Sequence, residues 1–346
     1  MKKLLSYSTL AVVLLMNLHP ALAQPGKKID STKLFVDEEP LELTLTSDLK
    51  NLMSKREQKA YQPATVEIRF PDSSTYKEEI RIQTRGKFRL ENCYMPPIYL
   101  NFRNPSSPQL HCLGKLKLVV GCAVGSDDEQ LIIKEYMAYK IYNMLTPKSF
   151  RVRLVRISYD DTKGKVKKYT QYGFLLEDVD DMAARNKCIE VENIKYNSES
   201  TDREQMTLVA IFEYMIGNSD WSVPAYHNIK LMRPVSEPQA IPIAVPYDLN
   251  HSGIVNASYA APPEELGIEK VTDRVYRGFP RTMEELEPVV NLYKEKKNDI
   301  WSMVNNCVWL SSKYKKELLN FLDGFYRTLG NKNSVKTAFI DNARTQ

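Results

Sequence analysis

The hydrophobic residues of this chain change period near position 120, and because a strand and a helix cannot share one period, that switch divides the fold. Before it the pattern alternates. Val66, Ile68 and Phe70 share one strand face, Ile80 and Ile82 a second, and Ile98, Leu100 and Phe102 a third. "KLKLVV" at 115–120 continues the sheet, and "DEQLIIKEYMAYKIYNML" then sets Leu131, Ala138, Tyr142 and Leu145 on one helical stripe. Two more strands, "FRVRLVRISY" and "KKYTQYGFLLE", flank the Lys163-Gly164-Lys165 turn. Residues 178–202 are polar and read as a connector. Beyond them "REQMTLVAIFEYMIG" is apolar almost all round, which marks a buried helix. Thr282 and Glu285 fit a capping box for a later helix. In the last helix Leu318, Leu322, Phe325 and Leu329 form the apolar stripe, ended by Gly330. The expectation is an α+β, two-lobed fold with a sheet-rich lobe at 61–177, a helical lobe at 178–346 and a cleft between them. Residues 24–60 read as irregular, apart from a short stretch near "LELTLT".

The first residues concern destination. Lys2 and Lys3 precede a long apolar run ending in Ala21-Leu22-Ala23, so residues 1–23 read as a secretory signal peptide cleaved before Gln24. The mature chain is then exported, periplasmic or extracellular, and no second long apolar stretch supplies an integral membrane segment. Two of the chain's formal +5 charges leave with the signal peptide, and the remaining +3 is too small to argue for a nucleic-acid partner. The five cysteines form no C-x-x-C pair, which speaks against a structural zinc site. Their odd number leaves at least one thiol free in a monomer, and export permits disulfides among the rest.

Polar chemistry concentrates in two short segments, "GNSDWSVPAYHN" at 217–228 and "VPYDLNHSG" at 245–253. Asp220 and Asp248 each follow an apolar element at the mouth of a turn, where backbone can fix a carboxylate while its oxygens face a cleft. Such a pair suits a divalent cation or a carboxylate base. Mg²⁺ prefers oxygen ligands and keeps several waters, so Asp248 and Asn228 could share it with a phosphate while Asp220 stays free as a base. The plainer alternative is that both aspartates cap turns. A third reading joins His227 and His251 to the aspartates in a zinc hydrolase site, without any H-E-x-x-H spacing to support it.

Glu135 lies on the apolar stripe of the first helix, and a carboxylate facing a core calls for a cation. Lys117 is a candidate, on a strand position facing away from Leu116 and Leu118, with Lys115 and Lys134 as substitutes. Pairing of a strand lysine with a helix glutamate is the arrangement by which protein kinases hold nucleotide phosphates.

With those residues set out, the order "RIQTRGKFR", "KLKLVV", "LIIKEYMAYKIYNML", "YGFLLED", "GNSDWSVPAYHN", "VPYDLNHSG" resembles the secreted atypical kinases of the CotH (spore-coat kinase) type, which are distantly similar to HipA and the Golgi casein kinases. Over most of the mature chain the sequence also resembles a group of exported bacterial proteins, notably from Bacteroidetes, with the same "NSDWS", "HNIKL" and "YDLNHSG" phrases. The kinase resemblance covers about residues 80–253. It implies a two-lobed kinase-like fold, Mg²⁺ or Mn²⁺, and ATP or another nucleotide as donor to a protein or small-molecule hydroxyl. Residue by residue it implies Arg85 and Gly86 in the turn over the phosphates, Lys117 paired to Glu135, and Glu177 at the hinge. It further implies Asp220 as catalytic base, with Asp248 and Asn228 as metal ligands. The chain departs from the kinase pattern in having no G-x-G-x-x-G loop, in the seven residues between Asp220 and Asn228, and in Gly253 lying five residues after Asp248. The rival class is an envelope binding or scaffold protein that keeps the fold without the chemistry. Arg274, Arg277 and Arg281 form a further basic cluster, either a clamp for an acidic or phosphorylated substrate or a solvated face.

Overall fold

In a computed structural model, residues 33–344 are described, apart from 36–37, 104, 108–109, 111–112 and 193. The signal peptide expected at 1–23 lies outside them. Seven strands close into a barrel in the order β1-β2-β3-β4-β5-β7-β6: β1 (Leu41–Ser47), β2 (Gln62–Arg69), β3 (Thr75–Thr84), β4 (Ile98–Asn101), β5 (Lys115–Val120), β6 (Val152–Asp161) and β7 (Tyr169–Leu176). β1 runs parallel to β6 and the other barrel neighbours are antiparallel. Inward positions alternate as the sequence requires, and Leu43, Leu45, Val66, Ile68, Ile82, Leu100, Leu116 and Leu118 fill the interior.

Two boundaries move. The segment 24–60, expected to be irregular apart from the stretch near "LELTLT", contains in that stretch β1, the strand that closes the barrel, and after it a short helix α1 (Leu49–Ser54), so the barrel begins at residue 41 rather than 61. "LELTLTS" alternates apolar and polar residues over a single strand length, and its partners β2 and β6 lie far along the chain. The connector at 178–202 likewise carries α4 (Val179–Arg185) and β8 (Cys188–Glu190). β8 pairs with β9 (Ile229–Pro234), which pairs with β10 (Ile243–Pro246), making a small three-stranded sheet.

Between β3 and β4 the chain forms α2 (Phe88–Asn92), and between β5 and β6 the long α3 (Ser126–Leu145). α3 is buried on most sides. Together with Val119, Val152, Leu154, Phe174 and Leu176 from the outer faces of β5, β6 and β7, it joins a second core shared with α5 (Arg203–Ile216), α6 (Met283–Asn306) and α7 (Ser312–Leu329). The protein is thus α+β, with a sheet-rich N-terminal part and a helical C-terminal part. The expected cleft is bridged in part by this common apolar core, because α3 packs on both.

Local signals explain the helix ends. Gly217 terminates α5 at φ +65°, a left-handed conformation that glycine adopts without a Cβ penalty. α6 opens with the expected capping box, its Thr282 hydroxyl accepting from Glu285 N while the Glu285 carboxylate accepts from Thr282 N. Thr282→Ala removes one half of that exchange and is expected to cost about 1 kcal/mol in chemical denaturation. α7 stops at Leu329 as expected, but Gly330 is right-handed (φ −68°) and leads directly to α8 (Lys332–Lys336).

Candidate functional site

The two polar segments come together. Gly253 N donates to Gly217 O at 3.0 Å and Ile254 N to Ile216 O at 2.9 Å, which ties the end of the Asp248 loop to the start of the Asp220 loop. A Cβ added at Gly253 would sit 2.6 Å from Val271 O, so the close approach needs glycine there. At the other end Tyr247 N donates to Asn228 O at 3.0 Å.

Within the first segment, Asp220 is held on both oxygens. His227 Nε2 lies 2.7 Å from Oδ1, and Asn228 Nδ2 donates to Oδ2 at 3.1 Å and to Asp220 O at 2.7 Å. The Oδ1 of Asn228 accepts no hydrogen bond among the described residues. Asn228 and Asp248 are left-handed, at φ +53° and +59°, a conformation in which Asn and Asp are enriched. The backbone N–H of Asp248 donates 2.7 Å to the buried Tyr139 hydroxyl on α3, while its carboxylate accepts no hydrogen bond among the described residues.

Lys117 meets this loop from the barrel. Leu116 and Leu118 point inward, so Lys117 faces out, and its Nζ lies 4.8 Å from the centre of the Tyr247 ring. Burial and the nearby Arg85 guanidinium bring its ammonium down to about 8, with Asp248 pulling the other way. The expected Lys117–Glu135 ion pair is not formed. Glu135 is 2% exposed, and burial pushes its carboxyl up to about 8. The cations that oppose this are Arg89 and Arg85, while Asp248 adds to it. Arg89 lies four residues after Arg85, on α2, a helix too short to read from periodicity.

Arg85 leads into Gly86, whose φ of +84° makes the tight turn expected there. Phe88, at the start of α2, lays its ring against His251 (6.2 Å between centres) and Tyr259 (5.6 Å), which brings the turn onto the Asp248 loop. Glu177 does sit between the barrel and the helical part, but its side chain is fully engaged. Arg185 forks onto both oxygens at 3.0 and 2.9 Å, and Arg151 N adds a bond at 2.8 Å. A bidentate pair this well buried fixes the hinge rather than a ligand. Of the substitutes for Lys117, Lys134 donates to Val255 O at 2.7 Å and Lys115 packs on Tyr99.

Two other expectations change. Arg274, Arg277 and Arg281 are neither a solvated face nor a clamp. Arg274 donates to Met215 O and Phe321 O, Arg277 to Ser219 O beside the Trp221 ring, and Arg281 to Glu199 and Thr207. They fasten residues 271–282 to α5 and to the Asp220 loop. His227 and His251 serve different neighbours, Asp220 and the Phe88–Tyr259 rings, and among the described residues no group of three or more His, Cys, Asp or Glu could hold a metal ion.

Glu213, absent from the sequence reading, lies beneath the Asp220 loop at 1% exposure. Burial lifts its carboxyl to about 8, against the pull of Asn218 and Arg277. The unfolded chain releases this proton near 4.5 and the folded protein only near 8, so the contribution to stability falls as pH rises across that window. Glu213→Gln is therefore expected to gain stability relative to the parent between pH 5 and pH 9, read from denaturation midpoints at each pH.

No family model matches the chain, and no curated protein does. Among solved structures, the proinflammatory kinase CtkA of Helicobacter pylori aligns with a TM-score of 0.37 and 10% identity, over 79% of this chain and 92% of that one. That likeness is too slight to argue from.

Proposed function

We propose that the protein is an exported, kinase-like phosphotransferase that uses Mg²⁺ or Mn²⁺ to move a phosphoryl group from ATP or another nucleotide to a protein or small-molecule hydroxyl. The observation that carries this is the convergence of a desolvated ammonium, Lys117, on an aspartate whose carboxylate is left uncommitted, Asp248. Desolvated, fixed opposite charges at a domain junction are what phosphoryl transfer asks of a protein, since its catalysis is mainly positioning and charge neutralisation.

The donor set fits a hard divalent cation. Asp248 offers a free carboxylate and Asn228 a free amide oxygen, and Mg²⁺ is commonly held by one or two such groups with waters and phosphates completing the shell. The ion would neutralise the phosphate oxygens. Lys117 and Arg85 would bind the phosphates, and the Gly86 turn would cover them. Asp220, oriented by His227 and Asn228, would accept the proton of the attacking hydroxyl. Export is supported by the Lys2-Lys3 and apolar leader and by the disulfide between Cys93 and Cys122.

Two observations favour the second reading, a kinase-shaped binding or scaffold protein: Lys117 lacks its glutamate and Glu177 is taken by Arg185. A thermal-shift panel separates the two. Phosphotransfer requires a raised midpoint with Mg·ATP, Mn·ATP or another metal-nucleotide, lost on adding EDTA. No shift with any nucleotide leaves the scaffold.

A further inference from the structure

Several cations of this chain face an acid within 4.0 Å, as Lys140, Arg156, Arg203 and Arg327 do. On the outer face of β3, β4 and β5 the cations lie against tyrosine rings instead. Arg81 lies 4.6 Å from the centre of the Tyr61 ring, Lys115 lies 3.9 Å from Tyr99 and 5.9 Å from Tyr61, and Arg85 lies 5.6 Å from Tyr99. Among the described residues none of the three has a carboxylate within 4.0 Å. A ring face holds a cation in place without cancelling its charge. The strand register sets Arg81, Asn101 and Lys115 in one row, with Tyr99 and Lys117 in the next. The face therefore carries fixed positive charge with no ion-pair partner on Arg81 or Lys115 among the described residues, and it runs toward Lys117, which feels Asp248.

A groove of about 760 Å³ adjoins it, running from Arg81 and Asn101 past Thr65 and Thr46 to Lys163, with Arg103 on its wall. Its two acids are Asp48, which caps α1 by accepting from Asn51 N at 2.9 Å, and Glu79. Hydroxyl, amide and guanidinium groups supply most of the polar lining. Of the residues lining the groove only Pro63, Ala64 and Ile80 are apolar, which leaves little to grip the side chains of a peptide.

We propose that this face and groove bind an acidic polysaccharide segment, its hydroxyls meeting the amides and threonines and its carboxylates meeting Arg81, Lys115 and Arg103. On the phosphotransfer reading, on which this last clause alone rests, the groove would deliver a sugar hydroxyl toward Lys117 and Asp248.

Calorimetric titration of the full mature protein with oligogalacturonate tests the binding without invoking catalysis. The expected result is saturable binding in low salt, none with neutral dextran, and an affinity reduced at least about tenfold in the Arg81→Gln/Lys115→Gln variant. Lys115→Arg should retain binding, which controls for folding. Asp248→Ala should also retain it, so this proposal and the nucleotide reading fail separately. Absent oligogalacturonate binding, equal binding of dextran, binding of poly-glutamate alone, or an unchanged double variant would each overturn the proposal.

Discussion

Asp248→Ala is expected to abolish the thermal stabilisation by Mg·ATP or Mn·ATP that the proposed function requires of the parent protein. A ligand at about 100 times its Kd stabilises the state it binds by about 2.7 kcal/mol, a midpoint shift of roughly 5 °C for a chain of this size. Removing the free carboxylate would leave a bound ion with one protein oxygen, the Asn228 amide, and would take from Lys117 the carboxylate that most favours its charged form. Because residue 248 is left-handed, alanine also adds backbone strain there. Asp248→Asn tolerates that conformation, so it isolates the loss of charge and should fail to bind in the same way. Asp220→Asn makes the contrasting prediction. It should keep metal-dependent nucleotide binding and lower transfer by roughly 10²- to 10⁴-fold, the range for loss of a positioned base. Nucleotide-induced shifts that survive in both Asp248 variants would refute the assignment.

The second large effect concerns the disulfide. Cys93 ends α2 and Cys122 follows β5, with a sequence separation of 29 residues, and Tyr94 N adds a bond to Cys122 O at 2.8 Å. Closing a loop of that length restricts the unfolded chain by about 3–4 kcal/mol on the chain-entropy account. The Cys93→Ser/Cys122→Ser protein is expected to lose about that much in denaturant unfolding. The loss should reach the site as well, because the bridge anchors α2, which carries Arg89 toward Glu135 and Phe88 onto His251 and Tyr259. Hydrogen exchange should therefore quicken around residues 85–95 and nucleotide affinity should drop. An unchanged unfolding midpoint would show that the bridge contributes nothing. The remaining described cysteines, Cys188 and Cys307, are buried thiols, and Cys112 lies outside the described residues.

Much of the fold was legible because it rests on local periodicity. The alternation from Val66 to Val120, the helix over 128–145, the buried α5 with its Gly217 stop and the Thr282–Glu285 box all come from residues near one another in sequence. β1 was not legible as a barrel strand, because seven alternating residues acquire that role only from β2 and from β6, more than a hundred residues away. The same limit applies at the site. The meeting of the 217–228 and 245–253 segments could be anticipated from their composition, whereas the cation facing Glu135 depended on where a five-residue helix puts Arg89. Arg277 and Glu213 were missed as supports of the Asp220 loop for a related reason. An arginine run reads as surface until tertiary structure turns each guanidinium onto a backbone carbonyl. Tyr247 carried a usable signal in its position beside Asp248, on the end of an apolar strand.

The claim that organises the site is that Asp248 and Asn228 hold a divalent cation against nucleotide phosphates bound by Lys117. Crystals grown with Mn²⁺ and a non-hydrolysable ATP analogue test it most directly. The account predicts an anomalous manganese peak bounded by the Asp248 carboxylate and the Asn228 Oδ1, with the Lys117 ammonium on the phosphates. Nucleotide density with manganese elsewhere, or no nucleotide between the barrel and the helical part at saturating concentration, would contradict it.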